Sequence, residues 1–98
     1  KMANFGDYTV ATESEEFRIY PTNRFGETIP VTINRKTILF THKSGDSFVL
    51  KHHLYRGQWR WNDSRCGSVT EEYITQEVAR MLFKKDVAQA QQFIQKVA

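Results

Sequence analysis

The apolar pattern of this chain changes period once, and that change governs what it can fold into. Up to about residue 62 the apolar residues come in short alternating runs; beyond Ser68 they recur at steps of three and four, as Ile74, Val78, Met81 and Leu82 and then as Val87, Ala90, Ile94 and Val97. A period of two marks half-buried strands and a period of 3.6 marks amphipathic helices. The sequence predicts an antiparallel β-meander of five or six short strands within residues 8–62, followed by helices over 69–84 and 87–97. Each helix is apolar along one stripe only, so both pack on one face of the sheet, a two-layer α+β arrangement. With 98 residues this is one domain spanning 1–98, and it has no repeat and no linker.

Punctuation residues set the expected strand boundaries. Tyr8–Ala11 and Phe17–Tyr20 read as separate strands around an acidic turn, Glu13–Glu16. Ile29, Val31 and Ile33 alternate with Pro30 and Thr32; a proline cannot donate to a ladder, so this strand is an edge or carries a bulge. Asn34-Arg35-Lys36 reads as a further turn before Thr37–His42. Ser44-Gly45 and Arg56-Gly57 are two-residue hairpin signals. They set residue 41 opposite 48, 39 opposite 50, 54 opposite 59 and 52 opposite 61. In that register Leu39, Phe48, Leu50, Leu54, Trp59 and Trp61 face the helices, and a three-residue Asn34-Arg35-Lys36 turn adds Ile29, Val31 and Ile33 to that face. The opposite face carries Ile38, Phe40 and Val49 at one end and Lys51, His53, Tyr55, Gln58, Arg60 and Asn62 at the other. Ser68-Val69-Thr70-Glu71 matches a capping box at the start of the first helix, and Asp86 is placed to cap the second.

The net charge of +3 is unevenly spread. Residues 34–65 hold seven Lys and Arg against two Asp, the first third is net negative and the last third neutral. A local positive field attracts phosphates or an acidic protein. Within that third, Lys51 to Trp61 interleaves basic and aromatic residues. Lys51, Arg56 and Arg60 suit phosphate neutralisation, and Tyr55 and His53 suit stacking on bases. Ile38, Phe40, Val49 and Tyr55 form an alternative, apolar surface for a protein partner.

Other chemistries have little support. His52 and His53 are adjacent on a strand and point to opposite faces, so they do not share a metal, and no other spacing supplies a ligand set. No cofactor motif occurs; the five glycines are scattered singly, without a phosphate-cradling loop. Cys66 lies near a helix N-terminus, which lowers a thiol pKa, with Asp63 and His52 as conceivable helpers, but no oxyanion hole or orienting third group accompanies it. A single cysteine excludes an internal disulfide and points weakly to a reducing, cytoplasmic setting. Apolar runs such as Ile38-Leu39-Phe40 are far below the ~20 residues that span a bilayer, and residues 1–4 lack a signal-peptide core.

Two function classes follow, neither enzymatic. One is a small binding protein that contacts nucleic acid or a nucleoprotein complex through Lys51, His53, Tyr55, Arg56 and Arg60. The other is a protein-binding inhibitor or adaptor that uses Ile38, Phe40, Val49 and Tyr55. A cysteine-dependent enzyme is a remote third. The general profile (short, single-domain, aromatic, without a catalytic motif) is similar to that of many phage or mobile-element accessory proteins that block a host factor. The likeness covers no motif and carries over no residue.

Overall fold

The computed structural model describes residues 2–55 and 57–96, with Tyr55 described by its backbone alone. Six strands, β1 (Met2–Phe5), β2 (Tyr8–Ile19), β3 (Val31–His42), β4 (Ser47–Tyr55), β5 (Gln58–Asp63) and β6 (Gly67–Val69), precede α1 (Glu71–Leu82) and α2 (Val87–Lys96). The strands form one antiparallel sheet in sequence order, β1 to β6. The expected α+β meander closed by two C-terminal helices is therefore the fold.

Two expected turns are not turns. β2 runs unbroken through Glu13–Glu16, and β3 runs unbroken through Asn34–Lys36. The reason is mutual: the acidic and basic runs lie opposite each other, with Ser14 paired to Lys36, Glu15 to Arg35 and Glu16 to Asn34. Opposite charges across a ladder support pairing where either run alone looks like a solvated turn. Tyr8–Ala11 and Phe17–Ile19 are thus parts of one strand beside β3. β3 begins only after Pro30, so Ile29 lies outside it; Ile29 and Val31 are exposed, not core. Of that trio only Ile33 is buried, opposite Phe17 and outside the main core cluster.

The β3–β4 register differs from expectation by one residue. Thr41 pairs with Ser47, Phe40 with Phe48 and Ile38 with Leu50. The connection has three residues, Lys43 to Gly45: the His42 amide donates to the Asp46 carbonyl at 2.8 Å, and Gly45 takes φ +100°. A three-residue hairpin needs a left-handed residue at its third position, which glycine fills without a Cβ penalty. One step of register turns every β3 side chain over. Ile38 and Phe40 consequently face the helices, and Leu39 faces away. The β4–β5 register is as expected, with Leu54 opposite Trp59 and His52 opposite Trp61.

The core lies between this face and the helices: Val10, Ile38, Phe40, Leu50 and Trp61 from the sheet, Ile74, Val78 and Ala79 from α1, and Ala90 and Ile94 from α2. Phe5 from β1 makes edge-to-face contacts with Phe83 and Phe93 at 5.6 and 5.7 Å, tying the first strand to the end of the chain. The first helix starts later than the capping-box match indicated. Ser68 belongs to β6, and Thr70 is the cap, its hydroxyl accepting from the Tyr73 amide at 3.1 Å. Asp86 caps α2 as expected, accepting from the Gln89 amide at 3.2 Å. Val87 is exposed, and Val97 lies outside the described residues.

The helices cover only one end of the sheet. β1 pairs only with Tyr8–Ala11 of β2, and β4 pairs with β3 only as far as Lys36. Beyond those limits β2 and β3 have only each other, so residues 14–19 and 31–35 form a two-stranded arm. Its end loop is held by Asn23, whose side-chain oxygen accepts from the Phe25 and Glu27 amides at 2.9 and 3.0 Å. Among the described residues no helix is long and apolar enough to cross a membrane.

Candidate functional site

The sheet forks where β3 and β4 part, and the fork is the most distinctive surface of the molecule. One prong is the β2–β3 arm and the other is the β4–β5 hairpin. β6 pairs only with Trp61–Asp63, so Gln58–Arg60 is a bare strand edge. Strand alternation then puts two different surfaces on either side of the second prong.

The outer side holds the basic residues singled out in the sequence. Lys51 is exposed and pairs with Thr37 on one flank and Asn62 on the other. His53 is opposite Arg60, and the Arg60 guanidinium donates to the Gln58 side chain at 3.2 Å. His53, Arg60, Asn62 and Ser68 line a cavity of about 260 Å³. Arg35 adds a further cation on this side, pairing with Glu15 at 3.5 Å and lying 5.1 Å from the Phe17 ring centre. Tyr55 pairs with Gln58 through the ladder; its side chain, and Arg56 altogether, lie outside the described residues.

The helix side holds residues the sequence did not single out. Trp59 shares the covered face but sits past the end of the helices, and it is 43% exposed. The expectation that both tryptophans are core holds for Trp61 only. The His52 ring stacks on Trp59 at 5.0 Å and on Trp61 at 4.7 Å, with interplanar angles of 30° and 26°. Burial, with Lys36 nearby, holds the His52 pKa below the ordinary imidazole value and favours the neutral ring. Ser14, Asn34, Lys36, His52 and Trp59 line a cavity of about 380 Å³ in the fork. A neighbouring groove of about 460 Å³ runs over the bare edge of β5, past Trp59 and Arg60, to Glu71. A length argument could have found Trp59: a 12-residue helix such as α1 reaches about 18 Å, while a 12-residue strand such as β3 reaches about 40 Å.

The proposed apolar interface of Ile38, Phe40, Val49 and Tyr55 does not form. Ile38 and Phe40 are fully buried; Val49 stays on the outer side, half-buried opposite Leu39. Large exposed apolar side chains gather instead at the arm end, where Tyr20, Phe25, Ile29 and Val31 are between 40% and 72% exposed.

Cys66 and Asp63 belong to a different arrangement. Asp63 is fully buried, and its two carboxylate oxygens accept from the Arg65 amide (2.9 Å), Arg65 Nε (3.0 Å) and the second guanidinium nitrogen (2.8 Å), and from the Tyr73 hydroxyl (3.1 Å). The Arg65 bonds hold the Asp63 carboxyl below the usual carboxylate range. Arg65 also reaches Glu77 at 3.0 Å and lies 3.8 Å from the Phe48 ring centre. Cys66 is exposed, with its sulfur 3.6 Å from the Tyr73 hydroxyl; the hydrogen bond with that thiol is the first of several influences that raise the Tyr73 pKa. This network locks the β5–β6 turn onto α1. His52 is stacked on the tryptophans. Among the described residues no group of three or more His, Cys, Asp or Glu is placed to hold a metal ion.

No protein-family model, curated protein or solved structure matches the chain.

Proposed function

We propose that this protein is a non-catalytic binding module that contacts nucleic acid, free or within a nucleoprotein complex, through its β4–β5 hairpin. What carries the reading is the composition of the uncovered end of the sheet. Lys51, His53 and Arg60 lie on the outer side of the hairpin, and Lys36 lies on the other side, lining one cavity with a tryptophan left 43% exposed. Cations supply the sequence-independent affinity for phosphates, and a free aromatic face supplies a surface for bases. Tyr55 and Arg56 belong to the same hairpin and to the same proposed contact. A reducing, cytoplasmic setting goes with this reading, in keeping with a lone cysteine.

The test is retention of labelled nucleic acid across a salt series. Replacing Lys51 and Arg60 together by Ala should weaken binding and reduce the log–log salt slope by about two. An unchanged slope and affinity would rule the hairpin out as the contact.

A second reading, a protein-binding inhibitor or adaptor, draws on the exposed apolar end of the arm. Isolated exposed apolar residues are ordinary, but four large ones at one tip are not. In that case changing Phe25 and Ile29 to Ser abolishes retention of a protein partner in nuclease-treated extract and leaves any nucleic-acid affinity intact. Retention that is indifferent to both substitutions would dismiss the arm.

A further inference from the structure

We infer that Trp59, stacked with His52 beside Trp61, is a seat for one unpaired nucleobase, so that the module takes single-stranded nucleic acid in preference to duplex. The inference rests on the proposed nucleic-acid contact and names its substrate class.

Three features converge on this position. The first is the aromatic arrangement itself. Three rings lie within 30° of a common plane orientation, at centroid distances of 5.0 and 4.7 Å from the central imidazole, and the outermost of them keeps 43% of its surface in water. Trp61, under the helices, is by contrast 5% exposed. The second feature is space. The fork cavity of about 380 Å³ and the edge groove of about 460 Å³ both include Trp59 and His52, which leaves room for a planar ring on the exposed tryptophan. The third is the polar lining. Ser14 and Asn34 present a hydroxyl and an amide, able to bond the edge of a base, and Lys36 presents a cation.

The backbone path follows from the charges. β5 is bare at Gln58–Arg60, and alternation puts Trp59 on one side of that edge and Arg60 on the other. A strand that crosses the edge sets a base on Trp59 and its phosphate beside Arg60. Glu71, at the far end of the groove, repels phosphates and closes that direction. Bases in a duplex are already stacked on their neighbours and offer no free face, so a duplex gains only the phosphate contacts.

The discriminating experiment compares a labelled oligothymidylate of about a dozen nucleotides with a blunt duplex of equal length, using the full chain and its Trp59→Ala and Trp59→Phe variants. Loss of one base–aromatic stack corresponds to about tenfold or more in affinity. The expected result is a single-strand preference of at least about tenfold in the wild type. Trp59→Ala should remove that preference, and Trp59→Phe should restore most of it. Equal affinity for both probes, or single-strand binding indifferent to Trp59→Ala, overturns the base seat. If duplex retention is then still lost with Lys51 and Arg60, the nucleic-acid contact itself stands. Absence of binding to either probe overturns both.

Discussion

Asp63 is the residue on which the local structure most depends, and periodicity gave no hint of it. It sits on the core-facing side of β5, at a position where the alternation that buries Trp61 calls for an apolar side chain. It is tolerated there because Arg65, Tyr73 and the Arg65 amide satisfy its oxygens, as a buried charge requires. Truncating one partner of a buried ion pair is far costlier than losing a surface pair. Asp63→Ala should therefore cost about 3 kcal/mol in chemical denaturation, and Tyr73→Phe about 1 kcal/mol. The same residues shape acid stability. Asp63 has a lower pKa folded than unfolded, so its contribution is present above the unfolded value near 4 and is lost as pH falls through the folded value. His52 also has a lowered folded pKa because its neutral form is favoured; its contribution is present above about 6.5 and is lost as pH falls through its own folded value. Stability should accordingly fall in two steps on acidification. His52→Phe should remove the upper step and Asp63→Asn should reduce the lower one, which Glu77, also held below the usual carboxylate range by its bond with Arg80, shares, as read from denaturation midpoints across pH.

At the scale of elements, the strands and helices were legible in kind and less so in extent. Both helices follow from their apolar stripes, and Asp86 caps the second. The β4–β5 hairpin follows from Gly57, which takes φ +78°. β3 was harder for a physical reason. Ile38-Leu39-Phe40 is apolar on both faces, so alternation cannot choose between a two-residue and a three-residue connection at Gly45, and the face assignment turned on that choice. The acidic and basic runs resembled turns because each is polar by itself; only their pairing across the ladder makes them strand. That pairing is also the weakest part of the sheet. In the arm each strand has one neighbour, whereas residues 37–41 of β3 have two. Amide hydrogen exchange should show lower protection for residues 14–19 and 31–35 than for 37–41, because two-stranded ribbons open at lower free energy than a packed sheet. Equal protection would mean that the arm is stabilised by something beyond its own ladder.

At the scale of the whole molecule, the shape departs from what 98 residues usually form. The radius of gyration is 15.7 Å and the extents are 53 × 23 × 23 Å, against a radius of roughly 13 Å for a compact domain of this length. The excess comes from a sheet longer than the helices that cover it. One end is a closed core; the other is a fork with a basic, aromatic prong and an apolar-tipped prong. The basic stretch was visible in the sequence as Lys51 to Trp61, but its division was not. Trp61 completes the core, and Trp59 is left at the rim with His52, Lys36, Ser14 and Asn34, residues brought together only by the fork. The most direct test of this account is an NMR titration of isotopically labelled protein with a short single-stranded oligonucleotide. Shift changes should concentrate at Ser14, Asn34 and Lys36 and across Lys51–Asn62, with the bodies of the helices and the arm tip at Tyr20–Val31 unmoved. Shifts confined to the helices or the arm tip, or none at saturating oligonucleotide, would contradict it.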